Sequence, residues 1–323
     1  MPPARLALAA ALALTAPLPA RPAEIAVAAA PIALDIADAA RTAVGPLQFR
    51  GALRLSSTHA AFGGVSSLRL SADGRRLLAI TDRAAWLRAD LLYDANGVLT
   101  GAEHFDLTPM LDADGRALVP PRSDAESLVR KEDGLYVAFE RQPRVLRFDA
   151  GADGPADGAR GRPIPLPPDV ARIPQNEGLE TMTALTDGRL LVVSEGAYQG
   201  DAVLGWILAD GGQPSAALRY VPAPGFNPTD AATLPNGDVL VLERRFTVLD
   251  RGSRIVRVRA ADIRAGARLV GEEIARLLPP VQVDNFEGID AIADPNGGVR
   301  IFLISDDNFS AFQRTLLLQF WMP

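Results

Sequence analysis

Cysteine is absent from the 323 residues and histidine is confined to His59 and His104. The first absence excludes a disulfide framework and any thiolate metal site. The scarcity of imidazole removes most of the donors zinc requires and leaves a Ser-His-Asp triad only two residues to draw on. No G-x-S-x-G stretch occurs. Lysine is nearly missing as well: Lys131 is the only one, so positive charge is carried almost wholly by arginine, whose planar guanidinium suits bidentate capture of carboxylate or phosphate. Acids outnumber bases, 39 to 33, for a formal charge of −6. That balance argues against nucleic acid and favours cations or neutral partners.

Long apolar runs are also lacking. The longest near the start, Leu6 to Ala16, is too short to span a bilayer and is followed by Pro17, Pro19 and Pro22. With Arg5 before it and "APLPARPAEIAVAAA" after it, the segment reads as a secretory signal, residues 1–30, cleaved between Ala20 and Ala30. A periplasmic or secreted chain follows, free of membrane insertion and expected to be a monomer. Loss of Arg5 and Arg21 takes its charge from −6 to about −8. Glycine (28) and proline (26) are plentiful, which suits short strands joined by tight turns rather than long helices.

One phrase recurs five times: "GVSSLRLSADGRRLLAITDR", "AESLVRKEDGLYVAFER", "EGLETMTALTDGRLLVVSEG", "PTDAATLPNGDVLVLERR" and "EGIDAIADPNGGVRIFLISDD". Each holds a short alternating strand, a turn on Asp-Gly, Asn-Gly or Gly-Gly, and a second strand of β-branched and aliphatic residues, which is a hairpin signature. Two more strand-like stretches separate the phrases, for example "RVLRFD" and "RPIPLPP". Four-stranded units at this period predict an all-β fold, a β-propeller over residues 46–323 as a single domain. The last unit lacks a strand, and "PLQFRGALRLS", Pro46 to Ser56, can complete it from the N-terminal side. Five blades are expected; a sixth stays open in the long stretch from Trp86 to Ser123.

In such a fold the inner strands line the axis, so equivalent positions converge. The acids leading each phrase are Glu126, Glu180, Asp230 and Asp290, with Ser66 in the first unit; those trailing it are Asp82, Glu140, Glu195, Glu243 and Asp306. Asn176, Glu177, Asn227, Asp284, Asn285, Glu287, Asp307 and Asn308 stand beside them, and Arg83, Arg141 and Arg244 directly follow trailing acids. Carboxylates crowded around one axis repel one another unless a cation intervenes. Two arrangements meet that demand: a hard divalent ion, Ca²⁺, bound by oxygen, or pairing of each acid with an arginine of its own or the neighbouring blade. On the first reading Glu126, Glu180, Asp230, Glu287, Asp290 and Asp306 are the expected ligands. Arg83, Arg141 and Arg244 would then hold an anionic group, with Glu177 or Glu195 as general base.

The motifs "DAESLVRKEDGLYVAFER", "NEGLETMTALTDGRLLVVSEG", "NPTDAATLPNGDVLVLERR" and "DNFEGIDA" with "SDDNFSAFQRTLLLQF" occur in order from about Phe62 to Phe320. Together they resemble the phytase-like family of exported bacterial proteins associated with esterase-like activity. That resemblance implies a β-propeller, export, and hydrolysis of phosphate or carboxylate esters of a small-molecule substrate. Ser127 stands where the family has glycine after the first acid. A calcium-dependent lactonase and a non-catalytic binding propeller remain the alternatives. His104 and the tryptophans Trp86 and Trp206 read as structural, whereas His59, in the loop before the first repeat, is within reach of the mouth. "GADGPADGARGRP", Gly151 to Pro163, reads as a surface loop without the calcium-loop spacing, and Arg259 to Leu278 as carrying a short helical turn.

Overall fold

A computed structural model describes residues 23–174, 177–209, 215–247 and 250–323. Among these, five antiparallel sheets follow one another along the chain, and the only helical pieces are the 3-10 turns Val170–Arg172 and Ala260–Asp262. The first blade is Val65–Leu70, Arg76–Thr81, Ala85–Tyr93 and Leu99–Pro109, with Ala23–Glu24 added outside. The stretch from Trp86 to Ser123 thus supplies the outer half of blade one, and the count is five. Blade two is Ala125–Lys131, Gly134–Phe139, Arg144–Phe148 and Arg162–Pro163. Blade three is Leu179–Ala184, Leu190–Gln199, Ala202–Leu208 and Ala216–Tyr220, and it borrows Arg268–Leu269 as a parallel edge. Blade four is Asn227–Thr233, Val239–Phe246, Arg251–Val258 and Glu272–Leu277.

Blade five closes the ring. Asn285–Ala293, Val299–Asp306 and Thr315–Met322 come from the C-terminal end, and Leu47–Ser56 from the N-terminal end pairs antiparallel with Thr315–Met322. Ala28–Pro31 pairs in turn with Leu47–Ser56. The first strands of the five blades pack against one another in sequence, and the last returns to the first.

The apolar side chains form five clusters, one at each blade interface. Leu68, Phe302 and Leu317 join blades five and one; Trp86, Phe139 and Phe148 join one and two; Met182, Val192 and Tyr136 join two and three. Tyr220, Val241 and Val258 lie between three and four, and Leu242, Phe286 and Phe320 between four and five. Trp86 meets Phe148 edge to face at 5.2 Å, and Trp206 is buried with its indole N–H donated to Asp169. Both tryptophans therefore fill blade contacts. The hairpin glycines Gly74, Gly188 and Gly237 have φ of 77°, 86° and 89°, the left-handed conformation that these tight turns need and that side chains resist.

Candidate functional site at the channel mouth

Every inner hairpin carries one β-bulge near the same end. The ladder steps from Val65↔Thr81 to Ser67↔Ile80 in blade one, and likewise around Glu126, Glu180, Thr229 and Glu287 in the others. A bulge inserts one residue and re-aims its side chain. The five bulged residues, Ser66, Glu126, Glu180, Thr229 and Glu287, form one tier. Along or just after the second strands, Asp82, Glu140, Glu195, Arg244 and Asp306, each one residue beyond the partner of the residue that precedes the bulge, form the other.

This register redistributes the acids expected from sequence. Glu126, Glu180, Glu195, Glu140, Asp82, Asp306 and Glu287 fall in the two tiers. Asp230 and Asp290 do not: Asp230 is one residue and Asp290 three residues deeper than the bulge of its own blade. Both surround Arg69, a residue the sequence reading passed over. Arg69 donates to both Asp230 oxygens at 3.1 and 3.3 Å and to the carbonyls of Ile289, Met182 and Ala231. Ser67 and Ser127 also donate to Asp230, and Asp290 accepts from the Leu70 amide. Burial pushes both carboxyls up, and the Arg69 charge opposes that shift. The hydrogen-bonding capacity of this pair is directed to a buried plug that ties blades one, two, three, four and five together.

Glu243 is likewise displaced. It lies opposite Pro228, one residue before the mouth, buried against Tyr220 and Arg254, and Arg244 takes the position held by acids in the other blades. Arg244 pairs with Glu287 at 3.0 Å and Glu195 at 3.1 Å and donates to Asn285 at 2.5 Å. Its guanidinium is thus turned to its neighbours' carboxylates instead of being free for an anionic ligand. Arg141 pairs with Asp124 at 2.6 Å, and Arg83 lies over the Phe309 ring at 3.3 Å. The arginine arrangement is thus present at one place, where Arg244 crosses between blades, while Glu126, Glu140, Glu180 and Asp82 make no ion pair within 4 Å among the described residues.

Two groups of carboxylate oxygens lie within 4.8 Å of one another, Asp124 with Glu126 and Glu140, and Glu140 with Glu180 and Glu195. Glu140 belongs to both. Such groups could hold a metal ion. Glu180 is 6% exposed and accepts no hydrogen bond from the described residues. Burial, and after it the Glu195 charge, holds its carboxyl well above the usual range. Burial does the same to Glu126, aided by Asp124 and Glu287. Glu140 is pushed up to about 7 by burial and Asp124, and Asp82 to about 7 by burial and Asp306. Glu287 reaches about 8 through burial, opposed by Arg244, and Asp306 about 6 through burial, opposed by the Asn308 amide. The donors are all oxygen, which matches a hard cation and not zinc.

The flanking residues have mixed placements. Asn227 donates to Glu195 at 3.2 Å, and Asn285 to Glu287 at 2.7 Å, so both orient mouth carboxylates. Asp284 pairs with Arg314, and Asp307 accepts from Gly64, Phe309 and Thr315, so these two fasten loops. Asn308, at φ 48°, donates its amide to Asp306. Glu177 is half-buried against Gly196, and Asn176 lies outside the described residues. His59 accepts from the Ala61 amide within its own exposed loop, and His104 pairs with Asp90 at 2.9 Å on an outer strand. The loop from Gly151 to Pro163 is tied to blade one by the Asp153–Arg76 ion pair.

No helix among the described residues is long and apolar enough to cross a membrane. The aldose sugar dehydrogenase of Streptomyces coelicolor, in its PQQ-bound form, is similar at 12% identity and a TM-score of 0.47, covering 84% of this chain and 98% of its own. The glutaminyl cyclase of Myxococcus xanthus is similar at 10% identity and a TM-score of 0.42, with 81% and 92% covered. Neither likeness is close enough to carry an argument about chemistry. No curated protein matches. A family model described as "Phytase-like: Esterase-like activity of phytase" matches residues 60–309, which takes in all five bulged hairpins and both carboxylate tiers, and the chain belongs to that phytase-like family.

Proposed function

We propose that the mouth of the propeller is a Ca²⁺-assisted hydrolytic site for phosphate or carboxylate esters in an exported protein. The observation that carries this reading is Glu180: a buried carboxylate without a hydrogen-bond donor, within 4.8 Å of Glu140 and Glu195. A lone buried carboxylate costs several kcal/mol unless it is protonated or paired. Here either a proton or a bound cation meets that cost, and a hard cation at the mouth would displace the proton.

Glu126, Glu140, Glu180 and Glu195 are the proposed ligands, with Glu287 and Asp306 on the opposite side of the ring. Asp230 and Asp290 are left out of the set because both lie below the mouth around Arg69, which pairs with Asp230 and whose charge also acts on Asp290. A bound hard cation supplies Lewis-acid polarisation of a phosphoryl or carbonyl oxygen and acidifies a coordinated water. The protein's own part is to position. Arg244 bridges Glu195 and Glu287 on one side of the ring, Arg83 and Arg141 stand on the other, and Glu177, outside the ligand set, accepts a proton. Arg69 and the serines around it fill the channel below, so a substrate enters and leaves through the same opening.

Export fits the leader-like start of the sequence. Because Ala23–Glu24 and Ala28–Pro31 pair with blade strands, cleavage near Ala20 preserves more sheet than cleavage near Ala30. The test is hydrolysis of p-nitrophenyl phosphate, a p-nitrophenyl carboxylate ester and a sugar lactone, each with calcium and with chelator, by the wild type and Glu180→Gln. Calcium-dependent turnover of a phosphate or carboxylate ester that falls at least tenfold in the variant is expected. Turnover of the lactone alone would move the assignment to a lactonase, and absence of turnover in all three would leave a binding propeller.

A further inference from the structure

Between blades one and two, next to the Asp124–Glu126–Glu140 group, lies a cavity of about 150 Å³ lined by Asp82, Arg83, Pro120, Pro121, Ser123, Asp124 and Arg141. Pockets that take whole small molecules run to about 300–1,000 Å³, and 150 Å³ is the liquid volume of about five waters. The space therefore suits one functional group. Two arginines belong to its lining. Arg141 is held by Asp124 at 2.6 Å. Arg83 is exposed, makes no ion pair among the described residues, and donates only to the Ala60 carbonyl.

Arg83 is nevertheless held in place. Its guanidinium lies 3.3 Å from the centre of the Phe309 ring. That ring sits over Gly63 and Gly64, where a Cβ would meet Phe309 carbons at 3.0 and 2.5 Å, so the glycines make room for it. The loop is fastened by Asp307, whose Oδ1 accepts from the Gly64 and Phe309 amides. A guanidinium held over a ring by cation–π attraction keeps N–H groups for an oxyanion, and apart from the bond to Ala60 those of Arg83 have no hydrogen-bond partner among the described residues.

We propose that this cavity is an oxyanion subsite, in which Arg83 stacked on Phe309, together with Arg141, binds a single phosphate- or carboxylate-sized group of the substrate beside the mouth carboxylates. The proposal rests on the hydrolytic reading of the mouth and narrows it. The substrate presents one anionic group to the wall between blades one and two, and a polyphosphorylated ring gains nothing there from its further charges. Asp82 and Asp124 in the lining oppose extra negative charge.

The test is calorimetric titration of inorganic phosphate, acetate, phenyl phosphate and phytate into calcium-saturated protein: wild type, Arg83→Ala, Arg83→Lys and Phe309→Leu. Calcium affinity is measured separately for each. Phosphate or acetate should bind the wild type, the better of the two naming the group, and phytate should bind no more than tenfold tighter than phenyl phosphate. Arg83→Ala should weaken the anion about tenfold or more, since a charged hydrogen bond is lost. Arg83→Lys should fail to restore it, because an ammonium has no fork, and Phe309→Leu should lie between, all with calcium affinity unchanged. Equal anion affinity in wild type and Arg83→Ala, or no anion binding by a wild type that binds calcium, overturns the subsite. If calcium fails to bind but anions still depend on Arg83, the metal reading falls and the subsite stands.

Discussion

Arg69 shows how one side chain can decide the shape of a site. It is at the third position after the bulge in blade one, the position Asp290 holds in blade five, and its charge meets Asp230 from blade four. In "SSLRLS" it looks like an ordinary outward polar residue of an alternating strand, which is why sequence pattern did not single it out. Removing it leaves two buried carboxyls without their counter-charge, and breaking such a pair costs about 3–5 kcal/mol. Arg69→Met should therefore lower the stability read from urea unfolding by about that amount, and adding Asp230→Asn should recover part of the loss. The mouth acids respond to pH in the opposite sense from ordinary paired carboxylates. Asp306, Asp82, Glu140 and Glu287 sit at about 6, 7, 7 and 8, above their unfolded values of 3.8 for Asp and 4.5 for Glu. The native state then holds more protons than the unfolded one, so stability falls as pH rises from about 4 to 8. With chelator present, the urea midpoint should be lower at pH 8 than at pH 5. Calcium should reduce that difference by taking the protons' place. Equal midpoints at both pH values in chelator would show the carboxyls to be unperturbed.

At the scale of the element, the hairpin repeats were legible because β-branched runs and Asp-Gly or Asn-Gly turns return five times. The bulges were not, since an extra residue in a strand leaves no mark in alternation beyond a shift of one. That shift is what exchanged Thr229 for Asp230 and Arg244 for Glu243, and the repeated acid in "EGIDA" hid the choice between Glu287 and Asp290. Glycine marks one consequence of the tight register. A Cβ on Gly178 would stand 2.5 Å from the Glu140 Cα and 2.7 Å from its carbonyl oxygen, so blade three can enter only by lying directly on the backbone of a mouth residue. Gly178→Ala must displace Glu140, at a cost of about 1–3 kcal/mol. It should also lower calcium affinity, read by titration. Unchanged affinity would mean that Glu140 contributes nothing to ion binding.

Over the whole molecule, the absence of disulfides places the burden on five apolar interfaces and on closure of the ring. Leu47–Ser56 covers Thr315–Met322, whose Leu316, Leu318 and Phe320 are fully buried in the contact of blades four and five. The missing strand of the last unit made this closure readable from sequence, whereas the added edge strands Ala23–Glu24 and Ala28–Pro31 lie inside the stretch that looked like leader and spacer. A chain beginning at Ala23 should unfold with the same thermal midpoint as one beginning at Met1, and one beginning at Ser57 should lose its cooperative transition. Convergence of the blades also brings together carboxylates from sites as far apart in sequence as Asp82 and Asp306. Elemental analysis of the purified protein, paired with its thermal midpoint in calcium and in chelator at neutral pH, tests that convergence most directly. Bound calcium, with a midpoint that rises on its addition and rises far less in Glu180→Gln, is the predicted result. A metal-free protein whose midpoint ignores both calcium and chelator would contradict it.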